Sequence, residues 1–349
     1  MSGISDVARL AGVSKSTASR ALSGSGYVSM KTRARVVAVA ESLGYVPSSN
    51  AASLVTGRTQ NIGVVMPYVN RWFFAEVLEG IQHELLDRGL DLTLYDAKPG
   101  TSARHKIFED FIARKRFDGL IAVGLEPDDH ELERLLKIGR PVVSVVGSGD
   151  ATTVVEIDDD YAARRATEHL VALGHQHIAF LGGGFGSHWA QVDRRRLEGY
   201  LTAMKGAGLA QSISHIRSDV TLPGAYAAAV DALGDVRGRP TAIVGSCDEV
   251  AIGAIIAARR LGVQVPSALS VIGIDDHEFA EMFSLTTLRQ APRDQGRIAV
   301  ELLLAHLNEP DRPRSVVRLQ AQLVVRNSTA ASDPQFSAVL VDEQRRTDR

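Results

Sequence analysis

Lys15, Ser16, Thr17 and Arg20 place four polar side chains within six consecutive positions, and their types suit contact with nucleic acid. Lys and Arg donate to guanine edges or phosphate, and Ser and Thr contact either. Ala18, Ala21 and Leu22 fall between and after them at i, i+3, i+4 spacing, so on a helix the apolar residues face a core and the polar ones face outward. Ser14 has the chemistry to cap that helix. Ahead of it, Val7, Ala8 and Leu10 give a first helix an apolar side that Ser5 is placed to cap. Gly12 sits where the chain turns too sharply for a side chain, and Val13 plugs the corner. Residues 5–22 therefore read as a helix-turn-helix whose second helix offers its N-terminal residues to a major groove. The competing reading is a helical hairpin whose polar face meets only water.

Charge separates the two readings. Residues 1–60 hold seven Lys or Arg (Arg9, Lys15, Arg20, Lys31, Arg33, Arg35, Arg58) against Asp6 and Glu41, a net +5, so a chain of −2 overall carries −7 on the remainder. A basic head on an acidic body is the pattern of a phosphate-binding module joined to a domain of another kind. The 349 residues, 45% hydrophobic, are enough for two or three cores. The single cysteine, Cys247, permits neither an intramolecular disulfide nor a zinc pattern, and no metal or cofactor is expected. Without a leader-like segment or a long uncharged apolar run, the expected location is the cytoplasm, with no membrane partner.

The elements that must position these residues follow in order. Ser29 is placed to cap a third helix to about residue 43, with Val36, Val37, Ala40 and Leu43 inward and Gly44 as its stop. Residues 48–55 are too short for a helix stable alone, and by themselves they read as a linker. From residue 61 strand and helix signals alternate: strands at 62–66, 90–95, 119–123 and 142–146, helices at 74–88, 102–115 and 132–138. The alternation restarts beyond Val154, with helices at 161–173, 194–207, 225–233 and 250–261 and strands at 178–181, 213–216, 242–244 and 269–274. Such alternation predicts an α/β fold of two doubly wound parallel lobes, with a ligand between them at the carboxyl ends of the strands. A helix at 295–307 and a strand at 322–326 return to complete a lobe, and 331–349 read as a disordered tail. The expected domains are a headpiece at 1–46, a hinge and linker at 47–60, a two-lobed effector and dimerisation domain at 61–330, and the tail.

In sum the chain resembles the lactose-repressor (LacI/GalR) family of bacterial transcription regulators over residues 3–329. The marks are Asp6-Val7-Ala8, Ala11-Gly12-Val13-Ser14, Thr17 with Ser19-Arg20, Tyr27-Val28-Ser29, Leu43-Gly44-Tyr45 with Pro47, and Thr56-Gly57-Arg58-Thr59. Later come Phe73-Phe74-Ala75-Glu76, Glu168-His169-Leu170, Arg196-Leu197-Glu198-Gly199-Tyr200, Asp248-Glu249-Val250-Ala251 and Ser270-Val271-Ile272-Gly273-Ile274-Asp275-Asp276. The resemblance implies a homodimer or dimer-based oligomer reading a near-palindromic operator DNA through a helix-turn-helix headpiece, with a periplasmic-binding-protein-like type I effector domain. It assigns DNA contact to Ser14, Lys15, Ser16, Thr17, Arg20, Tyr27, Ser29, Ala51 and Leu54, with Lys15 and Ser16 choosing the operator. It also replaces the linker reading of 48–55 by a hinge helix formed on DNA, whose Leu54 wedges into the minor groove. Ser48 stands where Asn is usual, and Ala18 replaces Val, which points to plain core packing at that position.

The same resemblance implies a small-molecule effector, a carbohydrate in most members, and assigns the pocket to Trp72, Phe73, Arg196, Cys247 and Asp275. Arg and Asp hold vicinal hydroxyls while a ring stacks on the apolar sugar face. As structural alternatives, Arg196 reads as a surface helix charge and Asp275 as a strand-end acid. Phe74 reads as core, Trp189 as a residue of the cleft mouth or a cover over the core, and Asp248 as the cap of the next helix. Cys247 stands where Asn is frequent, which removes an amide for a sugar hydroxyl. The alternatives are a nucleobase-responsive, corepressed regulator or a transport-type sugar-binding protein; the basic head and the absence of a signal peptide oppose the latter. Enzyme motifs fail: Ser187 takes the third Gly position of the 182–187 loop, and His83-Glu84 and His277-Glu278 lack a second zinc-binding His.

Overall fold

The structure, a computed structural model, describes residues 3–23, 26–45, 58–147, 151–184 and 190–332. The expected hinge with Ala51 and Leu54, the aromatic Trp189 and residues 333–349 lie outside them. Ser332 N–H donates to Leu173 C=O at 2.8 Å, so residues 331 and 332 belong to the second lobe rather than to a tail.

Three helices make the headpiece: α1 Ile4–Leu10, α2 Lys15–Ser23 and α3 Met30–Ser42. The caps follow local chemistry at two of three starts. Ser14 Oγ accepts from Thr17 N–H at 3.1 Å, and Ser29 Oγ from Thr32 N–H at 3.3 Å. At α1 the capping position is Gly3, not Ser5; Gly3 N–H donates to the Asp6 carboxylate at 3.0 Å, which leaves Ser5 inside the first turn. Gly12 turns the chain at φ +64°, the left-handed conformation expected of it. The shared core is built from Val7, Ala8, Ala11, Ala18, Ala21, Val36 and Ala40. Leu10 is instead 53% exposed, because Ala11, one turn from both Val7 and Ala8, takes the inward place and leaves Leu10 at the margin. Val37 is likewise exposed, and Val39 packs inward.

The rest forms two lobes with the same winding. In the first, strands β1 Asn61–Met66, β2 Asp91–Asp96, β3 Gly119–Val123, β4 Val142–Val145 and β5 Thr153–Ile157 lie in the order β2-β1-β3-β4-β5, all parallel. Its helices are α4 Trp72–Asp87, α5 Ser102–Lys106 and α6 Asp129–Lys137. The second lobe repeats the pattern with β6 Ile178–Leu181, β7 Ser214–Ile216, β8 Ala242–Gly245, β9 Ser270–Asp275 and β10 Thr286–Arg289, in the order β7-β6-β8-β9-β10. Helices α7 Asp159–Ala172, α8 Gln191–Gly206, α9 Leu222–Gly234 and α10 Asp248–Arg260 cover it. The last helix, α11 Pro292–Asn308, returns to pack on α4. Then β11 Val316–Leu319 extends the first sheet beside β5, and β12 Gln322–Val324 closes the second antiparallel to β10. The chain thus passes between lobes three times, after β5, β10 and β11.

Central strands covered on both faces explain the uninterrupted apolar runs; every residue of β3 is buried. The helix expected over 102–115 changes pitch instead. After α5 the chain makes a π turn at Ile107–Phe111 and a 3₁₀ turn at Ile112–Arg114, and the wider turn aligns Ile107 with Ile112 so that both join the core with Phe108. Among the described residues no helix is long and apolar enough to cross a membrane.

Candidate functional site

Two surfaces collect the residues singled out by chemistry. On the headpiece, Lys15 and Ser16 in the first turn of α2 and Arg20 in its last are exposed, while Ala18 between them is fully buried, so its role is packing. Ser14 Oγ lies 2.9 Å from Ser16 Oγ and 2.8 Å from Thr17 Oγ1, and Arg20 Nε donates to Ser16 C=O at 3.2 Å. These short-range bonds pre-set the polar face before any partner arrives. Tyr27, 93% exposed, and exposed Ser29 stand at the entry to α3. A tyrosine left so bare contributes nothing to the headpiece core and is available to a partner surface.

The second surface is a cavity of about 590 Å³ between the lobes, within the range of small-molecule sites. It opens where the winding rule places it, at the carboxyl ends of the strands: Pro67 and Tyr68 follow β1, Gly124 to Glu126 follow β3, Cys247 follows β8, Asp275 ends β9 and His277 follows it. Trp72, Phe73, Arg196, Cys247 and Asp275 all line it. Phe74 also reaches the cavity while packing on the first-lobe core.

Arg196 is no surface charge. It is 6% exposed, its Nε bonds Asp159 Oδ1 at 2.8 Å, its Nη1 donates to Ser246 C=O at 2.6 Å, and its Nη2 lies 3.9 Å from Asp275 Oδ1. Two arms of the fork are therefore spent inside the protein, and only the Nη2 edge turns toward Asp275. The arrangement depends on Gly199, because a Cβ there would sit 2.1 Å from Asp160 O and hold α8 off α7, the helix that begins with Asp159. Burial outweighs the adjacent guanidinium at Asp159 and Asp275 and pushes both carboxyls up, while those acids hold Arg196 charged against its own burial. Asp275 Oδ1 also accepts from Gln290 Nε2 at 2.6 Å, and Gln290 is braced by Gln295 at 2.8 Å.

Asp248 does not cap α10; Cys247 occupies that position without a side-chain bond. The buried Asp248 carboxylate accepts His277 N–H at 2.8 Å and the Thr287 hydroxyl at 2.7 Å, so it fixes the turn after Asp275. Burial, with Asp275 adding to it, raises its carboxyl. That turn presents His277, whose Nδ1 accepts Phe279 N–H at 3.1 Å and whose ring lies 4.9 Å from the Trp72 ring across the cleft. His277 was visible in the sequence only as a failed zinc motif; its place two residues after Asp275 was the available signal.

Asp193 was also missed. It lies one turn ahead of Arg196 on α8, lines the cavity, is 7% exposed and has no hydrogen bond to another described residue. Burial pushes its carboxyl up to about 6, Arg196 pulls it down, and Asp159 and Glu126 push it up further. Glu126 on the first lobe accepts the Gln191 N–H at the start of α8, a second bridge between lobes. Arg104 and Glu131, paired at 2.6 Å, wall the far end.

Comparison with known proteins gives a consistent picture. Residues 3–48 match the family described as bacterial regulatory proteins, lacI family, and residues 167–329 match a periplasmic binding protein-like domain. The chain is 32% identical, over 94% of its length and 98% of the relative's, to the HTH-type transcriptional repressor PurR of Vibrio campbellii. Among solved structures, a lac repressor dimer bound to operator and the anti-inducer ONPF superposes with a TM-score of 0.84 at 27% identity, covering 95% of this chain and 99% of that one. A CelR–cellobiose complex, a transcriptional regulator, matches at 0.68 and 27% identity over 94% of this chain and 100% of that one.

Proposed function

This chain belongs to the lacI family of bacterial regulatory proteins, and from that premise we propose that it is a repressor whose hold on a near-palindromic operator is controlled by a carbohydrate bound between its lobes. Its general role, DNA-binding regulation of transcription, is that of the family. The observation that carries the finer reading is the pairing of Trp72 and Phe73 on one wall with Arg196 and Asp275 on the other. A ring face takes the apolar side of a sugar, and the Asp275 carboxylate beside the Arg196 Nη2 edge takes vicinal hydroxyls. The structurally similar cellobiose complex supports the same ligand class. A nucleobase calls for flat faces on both sides. Among the described lining residues, Tyr68, Trp72, Phe73 and Phe74 all come from one segment, and the only ring opposite, His277, is tilted by 34° to the Trp72 ring, so the lining offers no parallel pair of rings for a base, whereas a sugar needs a ring on one side only.

On DNA, Lys15, Ser16 and Arg20 read the operator while Ser14, Thr17, Tyr27 and Ser29 position the headpiece, and two chains supply the two headpieces that a near-palindrome requires. On this reading the protein acts in the bacterial cytoplasm, where operator DNA lies. A ligand acts here only through unequal affinity for two lobe arrangements, one of which favours DNA. The test is a thermal-shift screen of the full chain with neutral sugars and nucleobases, followed by operator titration at fixed salt. A sugar that raises the melting temperature and changes operator affinity supports the reading; a response to nucleobases alone overturns it.

A further inference from the structure

We propose that Asp193 makes the cleft selective for saccharides that bring hydrogen-bond donors without negative charge, so that neutral and amino sugars bind while sugar phosphates and uronic acids are refused. The inference rests on the carbohydrate reading above and adds the charge class of the ligand.

Asp193 is 93% removed from solvent as a residue, and its carboxylate has no hydrogen-bond partner among the described residues, an arrangement that is costly to maintain without a use. Asp193 faces the cavity, so a ligand donor can supply the missing partner. Its surroundings decide which ligand. Arg196 is the cation shared by Asp159, Asp275 and Asp193, which leaves three acids around one guanidinium already bonded to Asp159 and Ser246. Glu126 and Glu249 add negative charge at the walls. Arg71, Arg104, Arg194 and Arg195 also line the cavity, but Arg104 is paired with Glu131 at 2.6 Å, Arg195 with Glu156 at 3.2 Å, and Arg71 lies 4.0 Å above the Tyr68 ring, so among the described lining residues seven acids face five arginines. An incoming phosphate or carboxylate meets this excess in a site largely withdrawn from water, where like charges repel strongly. A hydroxyl or ammonium group instead makes a charge-assisted bond to Asp193.

A purely structural role is also conceivable for an acid in the first turn of α8, where it complements the helix dipole. The two roles have opposite signs. A dipole partner stabilises the ligand-free protein, whereas an unpaired buried carboxylate held for a ligand destabilises it.

The experiment uses the full chain. Glucose, galactose, ribose, cellobiose and glucosamine are compared with glucose 6-phosphate, ribose 5-phosphate, glucuronate and galacturonate by thermal shift and calorimetric titration. We expect a neutral or amino sugar to bind and its anionic derivative to bind at least about a hundredfold more weakly. Asp193→Asn weakens the bound sugar by about tenfold and narrows that gap, while its ligand-free melting temperature equals or exceeds that of the parent. The proposal is overturned if an anionic sugar binds as well as its neutral parent, if Asp193→Asn leaves sugar affinity unchanged, or if that variant melts lower without ligand. If no saccharide of either charge class binds, the carbohydrate reading itself fails and this inference falls with it.

Discussion

At the scale of single residues, the Arg196–Asp159 pair shows why a residue proposed to bind the effector is also a structural one. Both side chains are almost fully buried, so removing the guanidinium leaves Asp159 charged or forces it to take a proton. Arg196→Ala is expected to lower stability by about 3–5 kcal/mol in denaturant titration as well as to abolish the saccharide-induced shift. Loss of binding at unchanged stability would contradict the pairing. Asp193 gives the opposite sign. Its carboxyl is raised from 3.8 to about 6, so its contribution to stability is fully present below 3.8 and is lost as pH rises through 6. The difference corresponds to roughly 3 kcal/mol, so the stability of Asp193→Asn relative to the parent should increase by up to that much between pH 4 and pH 7. A flat difference across that range would show that Asp193 is solvated. Arg196 and Asp275 were legible in the sequence because each sits in a recognisable run. Asp193 was not, because the run Asp193-Arg194-Arg195-Arg196 does not reveal which of its charges the fold turns inward.

At the scale of elements, what sequence periodicity reports is burial, and its successes and failures follow from that. Strands β3 and β9 are buried throughout and β1 in all but Asn61, and their apolar runs announce them. Strand β10 is equally buried in its first three residues but reads Thr-Thr-Leu-Arg, because Thr286 and Thr287 satisfy their hydroxyls on Arg326 C=O and the Asp248 carboxylate. Strand β11 lies at an edge, half-exposed, and its Val-Val-Arg-Leu is too short a run to announce a strand by itself. Helix starts depend on one side chain, and this can be tested where expectation and structure differ. Ser14→Ala removes the acceptor for Thr17 N–H and should cost about 1 kcal/mol in headpiece stability. Ser5→Ala should cost almost nothing, since Gly3 and Asp6 close that end of α1. Melting of the two variants, followed by helical circular dichroism, separates these outcomes; equal losses would restore Ser5 as the cap.

At the scale of the whole molecule, strand β3 joins the ligand cleft to the point where the chain leaves for the headpiece. At its carboxyl end Gly124, Leu125 and Glu126 line the cavity, and Glu126 holds the start of α8 on the other lobe. At its amino end stands Asp118, 4% exposed, whose carboxylate accepts Thr59 N–H at 2.7 Å, the Thr59 hydroxyl at 3.0 Å and Gln60 N–H at 2.9 Å. Those are the residues through which the polypeptide emerges from the first lobe. If lobe closure shifts Glu126, this five-residue strand, buried along its length and paired on both sides, is the direct connection by which the shift would reach Asp118. If Asp118 is the grip by which the effector domain holds the linker, Asp118→Ala should leave saccharide affinity within about twofold of the parent while shrinking the saccharide-induced change in operator affinity, a coupling that in such systems amounts to about 1–3 kcal/mol. Operator titrations with and without sugar measure it, and calorimetry of sugar binding without DNA supplies the control. A variant that binds sugar normally and still releases or recruits operator to the full extent would place the coupling elsewhere, for instance in the contact between Trp72 and His277 that bridges the lobes.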